Sequence, residues 1–234
     1  MNVQKLTRHQ IAQTVAHDIP DGAYVNLGIG IPTLISAFLP TDRDVILHSE
    51  NGIVGMGPAS PGAPLDLDLI NASKEAVTLL SGASITDHVV SFAMMRGGHL
   101  DLTVLGAFQV SAAGDLANWD TGEPGTIPAV GGAMDLVVGD HKVYVTMEHV
   151  TKNGEPKIVR ACTYPLTGAG VVDRIYTDVA ILDVEPDVMR VRAMVPGMTF
   201  EVLQAITDCP LVLADDSRVL RPSTRYSSPP PQCH

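Results

Sequence analysis

The hydrophobic positions fall into short blocks whose period changes along the chain. Over residues 7–17, Ile11, Ala12 and Val15 recur at helical spacing, with Ile19 continuing the same face. This predicts an amphipathic helix. Thr7 and Gln10 stand at capping-box spacing at its start, and Pro20-Asp21-Gly22 ends it in a turn. Residues 23–27 predict a buried strand, followed by a glycine-rich bend and a short helix over 33–39 that Pro32 opens. Residues 45–48 predict a second strand running into Ser49-Glu50-Asn51-Gly52. A loop rich in Gly and Pro spans 55–64. Short strands are predicted over 76–80 and 84–86 around Ser81-Gly82, then a helix over 87–96 stopped by Gly97-Gly98. Further on, residues 100–110 alternate in a β-like manner. Strands are predicted at 142–147, 179–184, 188–193 and 211–213, and helices around 133–138 and over 199–207.

Strands alternating with helices imply an α/β fold, an open and mostly parallel or mixed sheet flanked by helices. No internal repeat interrupts it. One domain is expected over 1–216, and the Pro-rich segment 217–234, with Pro229-Pro230-Pro231, reads as a flexible tail.

Composition narrows the function. The 234 residues are 45% hydrophobic and 18% charged, enough for a sizeable core without a disulfide or metal staple. Fifteen Lys and Arg face 26 Asp and Glu, a net charge of -11, which repels phosphate backbones and argues against nucleic-acid binding. Cys162, Cys209 and Cys233 form no CxxC pair. Reduced thiols in a cytoplasmic protein are therefore expected, with no thiolate metal site. The longest uncharged run, 24–41, is broken by Asn26, Gly28, Gly30, Pro32 and Pro40, so no membrane span is expected.

Three places could carry chemistry. In the first, a strand ends at His48-Ser49-Glu50 and turns through Asn51-Gly52, with Gly55 and Gly57 close behind. Ligands of open α/β sheets sit at the carboxyl ends of strands, so Glu50 reads either as a carboxylate aimed into a crevice or as a solvated loop residue. The second is Val130-Gly131-Gly132-Ala133-Met134-Asp135-Leu136. Its glycines open a predicted helix whose free N–H groups suit an oxyanion, or else they simply permit close packing. The third comprises Asn26, Lys74 and Asn118, polar residues in apolar surroundings that are either structural bridges or ligand contacts. Arg96 reads as a helix C-terminal charge. Gly28-Ile29-Gly30-Ile31-Pro32 lacks the third glycine of a dinucleotide fingerprint. No GxxxxGK[ST], GxSxG or HExxH motif is present, and the scattered histidines imply no metal.

Together these segments resemble the class I (3-oxoacid) coenzyme A transferases. Leu47-His48-Ser49-Glu50-Asn51-Gly52-Ile53-Val54-Gly55 is similar to that family's active-site signature throughout. Asn26-Leu27-Gly28-Ile29-Gly30-Ile31-Pro32, Arg96-Gly97-Gly98-His99, Gly114-Asp115-Leu116-Ala117-Asn118-Trp119, Gly131-Gly132-Ala133-Met134-Asp135-Leu136 and Pro165-Leu166-Thr167-Gly168 extend the likeness in family order.

The resemblance implies a CoA-transferase-like fold and the second, B-type half of a two-part enzyme. Its partner would be an α (A) subunit, in a heterodimer or heterotetramer. It also implies ping-pong transfer of CoA between succinyl-CoA and a 3-oxo acid, acetoacetate or 3-oxoadipate, with acyl-CoA as substrate and no permanently bound cofactor. Glu50 would be the nucleophile and Gly132 an oxyanion donor. Asn26, Asn51, Gly52, Lys74, Asn118 and Gly131 would contact substrate. Two alternatives share the scaffold: an acyl-CoA hydrolase, and a non-catalytic subunit that binds CoA or a sugar phosphate. The sequence departs from the family pattern at Ala59-Ser60-Pro61, where Tyr-Pro is common, and over 120–128.

Overall fold

The computed structural model describes residues 3–57, 66–123, 125, 127–186 and 188–221. The 222–234 part of the Pro-rich tail, Cys233, the Ala59-Ser60-Pro61 departure and most of the 55–64 loop lie outside them.

Helix α1, Arg8–Asp18, begins as its sequence dictates. The Thr7 Oγ1 accepts from the Gln10 N–H at 3.2 Å, and the Gln10 Oε1 accepts from the Thr7 N–H at 2.9 Å. Its buried face of Ile11, Ala12, Val15 and Ala16 packs on the main sheet and on a 3-10 turn, Pro32–Phe38. Full burial of such aliphatic side chains stabilises the fold by about 1.5–3 kcal/mol each.

The strands are β1 (Tyr24–Leu27), β2 (Ile46–Ser49), β3 (Ile53–Gly57), β4 (Thr78–Ile85), β5 (Leu102–Gly106), β6 (Gln109–Ser111), β7 (Leu116–Ala117), β8 (Lys142–Met147), β9 (Ile158–Val159), β10 (Arg174–Thr177), β11 (Ala180–Glu185), β12 (Val188–Met194) and β13 (Leu211–Val219). Ten of them form one sheet in the order β13-β12-β11-β10-β8-β5-β1-β2-β3-β4, and β7-β6-β9 form a small second sheet. The middle strands β2, β1, β5, β8 and β10 are parallel, whereas β3, β4 and β11 join antiparallel to their inner neighbours. Val25, Val104, Val145 and Ile175 are fully buried on these central strands, as parallel strands covered on both faces require. Among the described residues no helix is long and apolar enough to cross a membrane.

Several elements differ from expectation. Residues 76–80 and 84–86 are not two strands around a turn. They belong to one strand, β4, paired with β3, where a bulge between Val54 and Met56 absorbs the irregularity. Residues 55–57, expected to open a loop, instead complete strand β3, because Gly55 and Gly57 let the β4 backbone and side chains lie close. The helix expected around 133–138 is only a 3-10 turn, Asp135–Val137. Helix α2 (His88–Arg96) is capped by the Asp87 side chain, and α3 (Phe200–Ala205) by Thr199. The last strand reaches Val219 and Leu220 is buried, so the domain extends past the boundary drawn at residue 216.

A row of alternating charge crosses the outer strands. The Arg174 and Arg192 Nε atoms each donate at 2.5 Å to one Asp183 oxygen, and the Arg192 Nη1 donates to Asp216 at 3.0 Å. Nearby, the Tyr176 hydroxyl donates to Asp18 at 2.8 Å and ties the end of α1 to the sheet.

Beyond β8, the His149 ring is fully buried between two hydroxyls. Its Nδ1 lies 3.1 Å from Thr177 Oγ1 and its Nε2 lies 2.9 Å from Thr207 Oγ1. Burial pushes its pKa down to about 4 from 6.5, so the ring is neutral in the fold and charges first in the unfolded chain. This contribution is fully present above pH 6.5 and is lost as pH falls towards 4, on the order of 3 kcal/mol when complete. A histidine NMR titration should leave this ring neutral at pH 5, while the unfolding temperature already declines between pH 6.5 and 5. A ring that titrates near 6.5 contradicts this.

Candidate active site

The carboxyl ends of β1, β2, β5 and β8 open into one cleft of 670 Å³. Its position follows from strand order. The chain leaves β1 towards β2 on one side and returns through β5 on the other, so the connections part there and leave a crevice.

Glu50 stands at the tip of the β2–β3 hairpin and lines this cleft. The turn is held by the Gly52 N–H donating to Ser49 O at 2.9 Å and by the Thr86 N–H donating to Gly52 O at 2.8 Å. Gly52 has φ +113 and no room for a side chain against Thr86 O, so glycine is required there. Behind the turn, Ser49 Oγ accepts from the Ala72 N–H at 2.9 Å.

The Glu50 carboxylate faces Gly132. A Cβ built on Gly132 would collide with Glu50 Oε2 and lie 3.0 Å from Glu50 Cδ and 3.3 Å from Phe92 Cζ. Among the described residues the carboxylate accepts no hydrogen bond and joins no salt bridge. Its pKa is raised, chiefly by burial; His88 opposes the rise and Asp135 adds to it. Asp135 is itself held by Arg96, whose Nε donates to it at 2.5 Å. Arg96 thus does more than close a helix, since it neutralises the acid nearest the glutamate.

Gly131 and Gly132 also line the cleft. The Gly132 carbonyl accepts from Asp135 and Leu136, each at 3.0 Å, while its N–H donates to no described group. No α-helix follows, so this donor stands without the helix macrodipole that the sequence suggested.

Asn26 and Asn118 line the cleft as well. Buried Asn26 donates from Nδ2 to His48 Nδ1 at 3.0 Å and to His48 O at 3.3 Å. The His48 Nε2 lies 3.0 Å from Ser91 Oγ, which fits a neutral ring protonated on Nε2. Burial lowers the His48 pKa to about 4, in keeping with that state. His48 therefore orients Asn26 and does not itself exchange protons near neutrality. Asn118 donates to Gly106 O at 3.1 Å and accepts from Thr167 Oγ1 at 2.6 Å, bridging two segments of the wall.

Three expected contacts are not brought to the cleft. Lys74 is exposed on a turn with φ +64, and it is not the buried polar residue its neighbours suggested. Asn51 is exposed and donates to Ile70 O at 2.8 Å, which anchors the loop behind the hairpin. Gly52 serves the turn. Conversely, His48 and Asp135 lie inside the quoted segments without their supporting contacts being legible there, and no motif marks Ser91. Nor does any pattern single out the buried Thr146 and the half-buried Lys157 at the far end of the cleft.

Comparison with known proteins agrees with this geometry. The family model for Coenzyme A transferase matches residues 8–205. The chain is 60% identical over 212 residues to the B subunit of the 3-oxoadipate CoA-transferase of Acinetobacter baylyi, covering 91% of this chain and 98% of that one. It is 45% identical over 205 residues to the B subunit of the probable succinyl-CoA:3-ketoacid coenzyme A transferase of Bacillus subtilis, covering 87% and 94%. In three dimensions it is similar to the acyl-CoA transferase apoenzyme of Escherichia coli O157:H7, with a TM-score of 0.72 at 19% identity. That match spans 98% of this chain and 46% of the other. With a strand-end cleft, a carboxylate on a hairpin tip and relatives matched over nearly their whole length, the chain belongs to the coenzyme A transferase family and is a CoA-transferase chain.

Proposed function

We propose that this chain is the B subunit of a two-subunit enzyme that moves coenzyme A between succinyl-CoA and a 3-oxo acid, acetoacetate or 3-oxoadipate, with Glu50 as the nucleophile. The single observation behind the reading is a half-buried carboxylate that, among the described residues, has no hydrogen bond or ion pair and lies against Gly132. The names of the relatives supply the substrates and the B-type assignment.

The chemistry runs in balanced steps. A Glu50 oxygen attacks the thioester carbonyl and the C–S bond breaks. CoA leaves as thiolate, and an acyl-glutamyl anhydride remains. The thiolate then attacks the glutamyl carbonyl, expelling the first acid as a carboxylate and leaving CoA on Glu50 as a thioester. An incoming carboxylate attacks that thioester, and the same steps run backwards. Burial makes the Glu50 anion more basic than an exposed glutamate and so a better nucleophile. In this reading the Gly132 N–H stabilises the tetrahedral oxyanion, a role in which loss of one donor costs about 10²–10³ in rate. Asn26 and Asn118 offer polar contacts to acyl-CoA, and Gly131 gives the backbone room to approach it. An A subunit would cover the cleft mouth, where Ile29 is 75% exposed.

Assayed as the complex with its A subunit, Glu50→Gln should reduce transfer to background. Glu50→Asp should lose at least about 10²-fold by displacing the nucleophile. Succinyl-CoA added without an acceptor should leave a CoA adduct on Glu50 by mass spectrometry. Turnover retained in Glu50→Gln overturns the reading, and thiol release that ignores an added acceptor indicates a hydrolase instead.

Gly132→Ala should lower kcat by about 10²-fold or more, with little change in unfolding temperature, because its φ lies outside the left-handed region and the new methyl meets mainly the nucleophile. Since Glu50 must be ionised to attack and its pKa is raised, kcat/KM should fall on the acid side with a midpoint above 4.5. A midpoint at or below that value counts against Glu50 as the titrating group.

A further inference from the structure

At the far end of the same cleft, past the carboxyl end of β5, two polar groups have no hydrogen-bond or ion-pair partner among the described residues: one on β8, the other just before β9. The Thr146 Oγ1 is buried, with the residue 2% exposed, and makes no hydrogen bond. Its register neighbour on β5 is Gly106, which has no side chain to occupy the space beside it. Lys157 lies in the segment leading into β9 and is half-buried. Its ammonium makes no hydrogen bond or salt bridge among the described residues. Both residues line the cleft, as does Arg8 at the start of α1.

The local charges do not cancel. Lys5 is paired with Asp178 at 2.9 Å, and Arg8 lies 3.8 Å from Glu148. These are the charged groups that act on Lys157 or on its neighbour His149, which is neutral. Three cations therefore meet two carboxylates, and Lys157 is the one left over. Burial lowers its pKa and outweighs the opposing pull of Glu148 and Asp178, neither of which pairs with the ammonium. An unpaired buried hydroxyl and an unpaired ammonium are each costly to maintain, and together they mark a place for an anion.

We propose that Lys157, Thr146 and Arg8 form an anion subsite that receives the remote carboxylate of a dicarboxylic acyl chain, the carboxylate that does not react. The proposal rests on the reading of Glu50 as nucleophile. Strand order supports the acyl carboxylate over a CoA phosphate as occupant. Three strand spacings, about 14 Å, separate β2, which leads to Glu50, from β8, which carries Thr146, and Glu50, Thr146 and Lys157 all line the one cleft. The gap they leave suits a short acyl chain. A succinyl group lying along the cleft would put its carbonyl at Glu50 and its free carboxylate at Lys157, with Thr146 donating a hydrogen bond. Such a subsite favours dicarboxylic over monocarboxylic acids and sets the reacting carbonyl at a fixed distance from Glu50.

The test uses the complex with its A subunit. Succinate affinity is measured by calorimetry, and succinate is compared with butyrate as CoA acceptor. Lys157→Met should weaken succinate binding about tenfold or more and reduce the kcat/KM preference for succinate over butyrate by a similar factor. Lys157→Arg should recover most of both. Thr146→Val should weaken succinate binding while raising the unfolding temperature, because it removes a buried hydroxyl that lacks a partner. If Lys157→Met does not fold, the arginine and valine variants carry the test. Unchanged succinate affinity in the folded variants overturns the proposal, as does an equal loss with both acids. A defect that appears with succinyl-CoA but vanishes with its dephospho-CoA analogue also overturns it, assigning the ammonium to a phosphate. Succinate binding that depends on Lys157 in a complex that transfers no CoA would leave the subsite standing and remove the nucleophile reading.

Discussion

A carboxylate drawn partly out of water and left without a hydrogen bond is unstable unless the fold holds it there. That constraint on Glu50 organises the surrounding structure. The hairpin turn needs Gly52 because Thr86 O occupies the space of a side chain, and the wall opposite needs Gly132 because Glu50 occupies it. Asp135, the acid that would drive the pKa of Glu50 higher still, is held by Arg96. His48, two residues before Glu50 on the same strand, is locked between Asn26 and Ser91 and fixes the strand end from which the hairpin projects.

The sheet converts this local arrangement into a site with length. Because β2, β1, β5 and β8 run parallel, their ends open along one line, and a ligand lying across them meets a different chemistry at each strand. The lining offers the Glu50 carboxylate just after β2, the amides of Asn26 on β1 and Asn118 just after β7, the Thr146 hydroxyl on β8 and the Lys157 ammonium before β9. On the proposed reading, a reactive end and a recognition end carried by separate segments can be tuned independently, one for bond making and the other for choice of acid. Such separation follows from parallel topology, since antiparallel neighbours would send alternate strand ends to opposite edges.

How much of this can be read from the sequence depends on range. The capping box of Thr7 and Gln10 is local and legible, as is Glu50 at a strand end followed by Asn51-Gly52. Strand β3 is not, because Gly55 and Gly57 look like loop residues until β4 is seen lying against them. The helix expected after Gly132 shrinks to one 3-10 turn because the contacts around Glu50 and Phe92 shape that segment more than its own propensity does. Lys74 reads as buried, yet it sits exposed on a tight turn with a positive φ, between Ser73 and Glu75. His48 depends on Ser91, 43 positions away, and Lys157 is notable only for the partner it lacks. Neither kind of fact leaves a pattern in a single chain.

The charge row across β10 to β13 has a consequence for how the sheet is assembled. Sliding a strand by one residue turns all its side chains to the other face. A slip of β11 would therefore carry Asp183 away from Arg174 and Arg192 together and press a carboxylate against apolar neighbours such as Ile175 and Val191. Although partly exposed ion pairs add little stability singly, here they discriminate between right and wrong alignment. The outer strands thus carry their own proofreading, remote from the cleft and independent of any substrate.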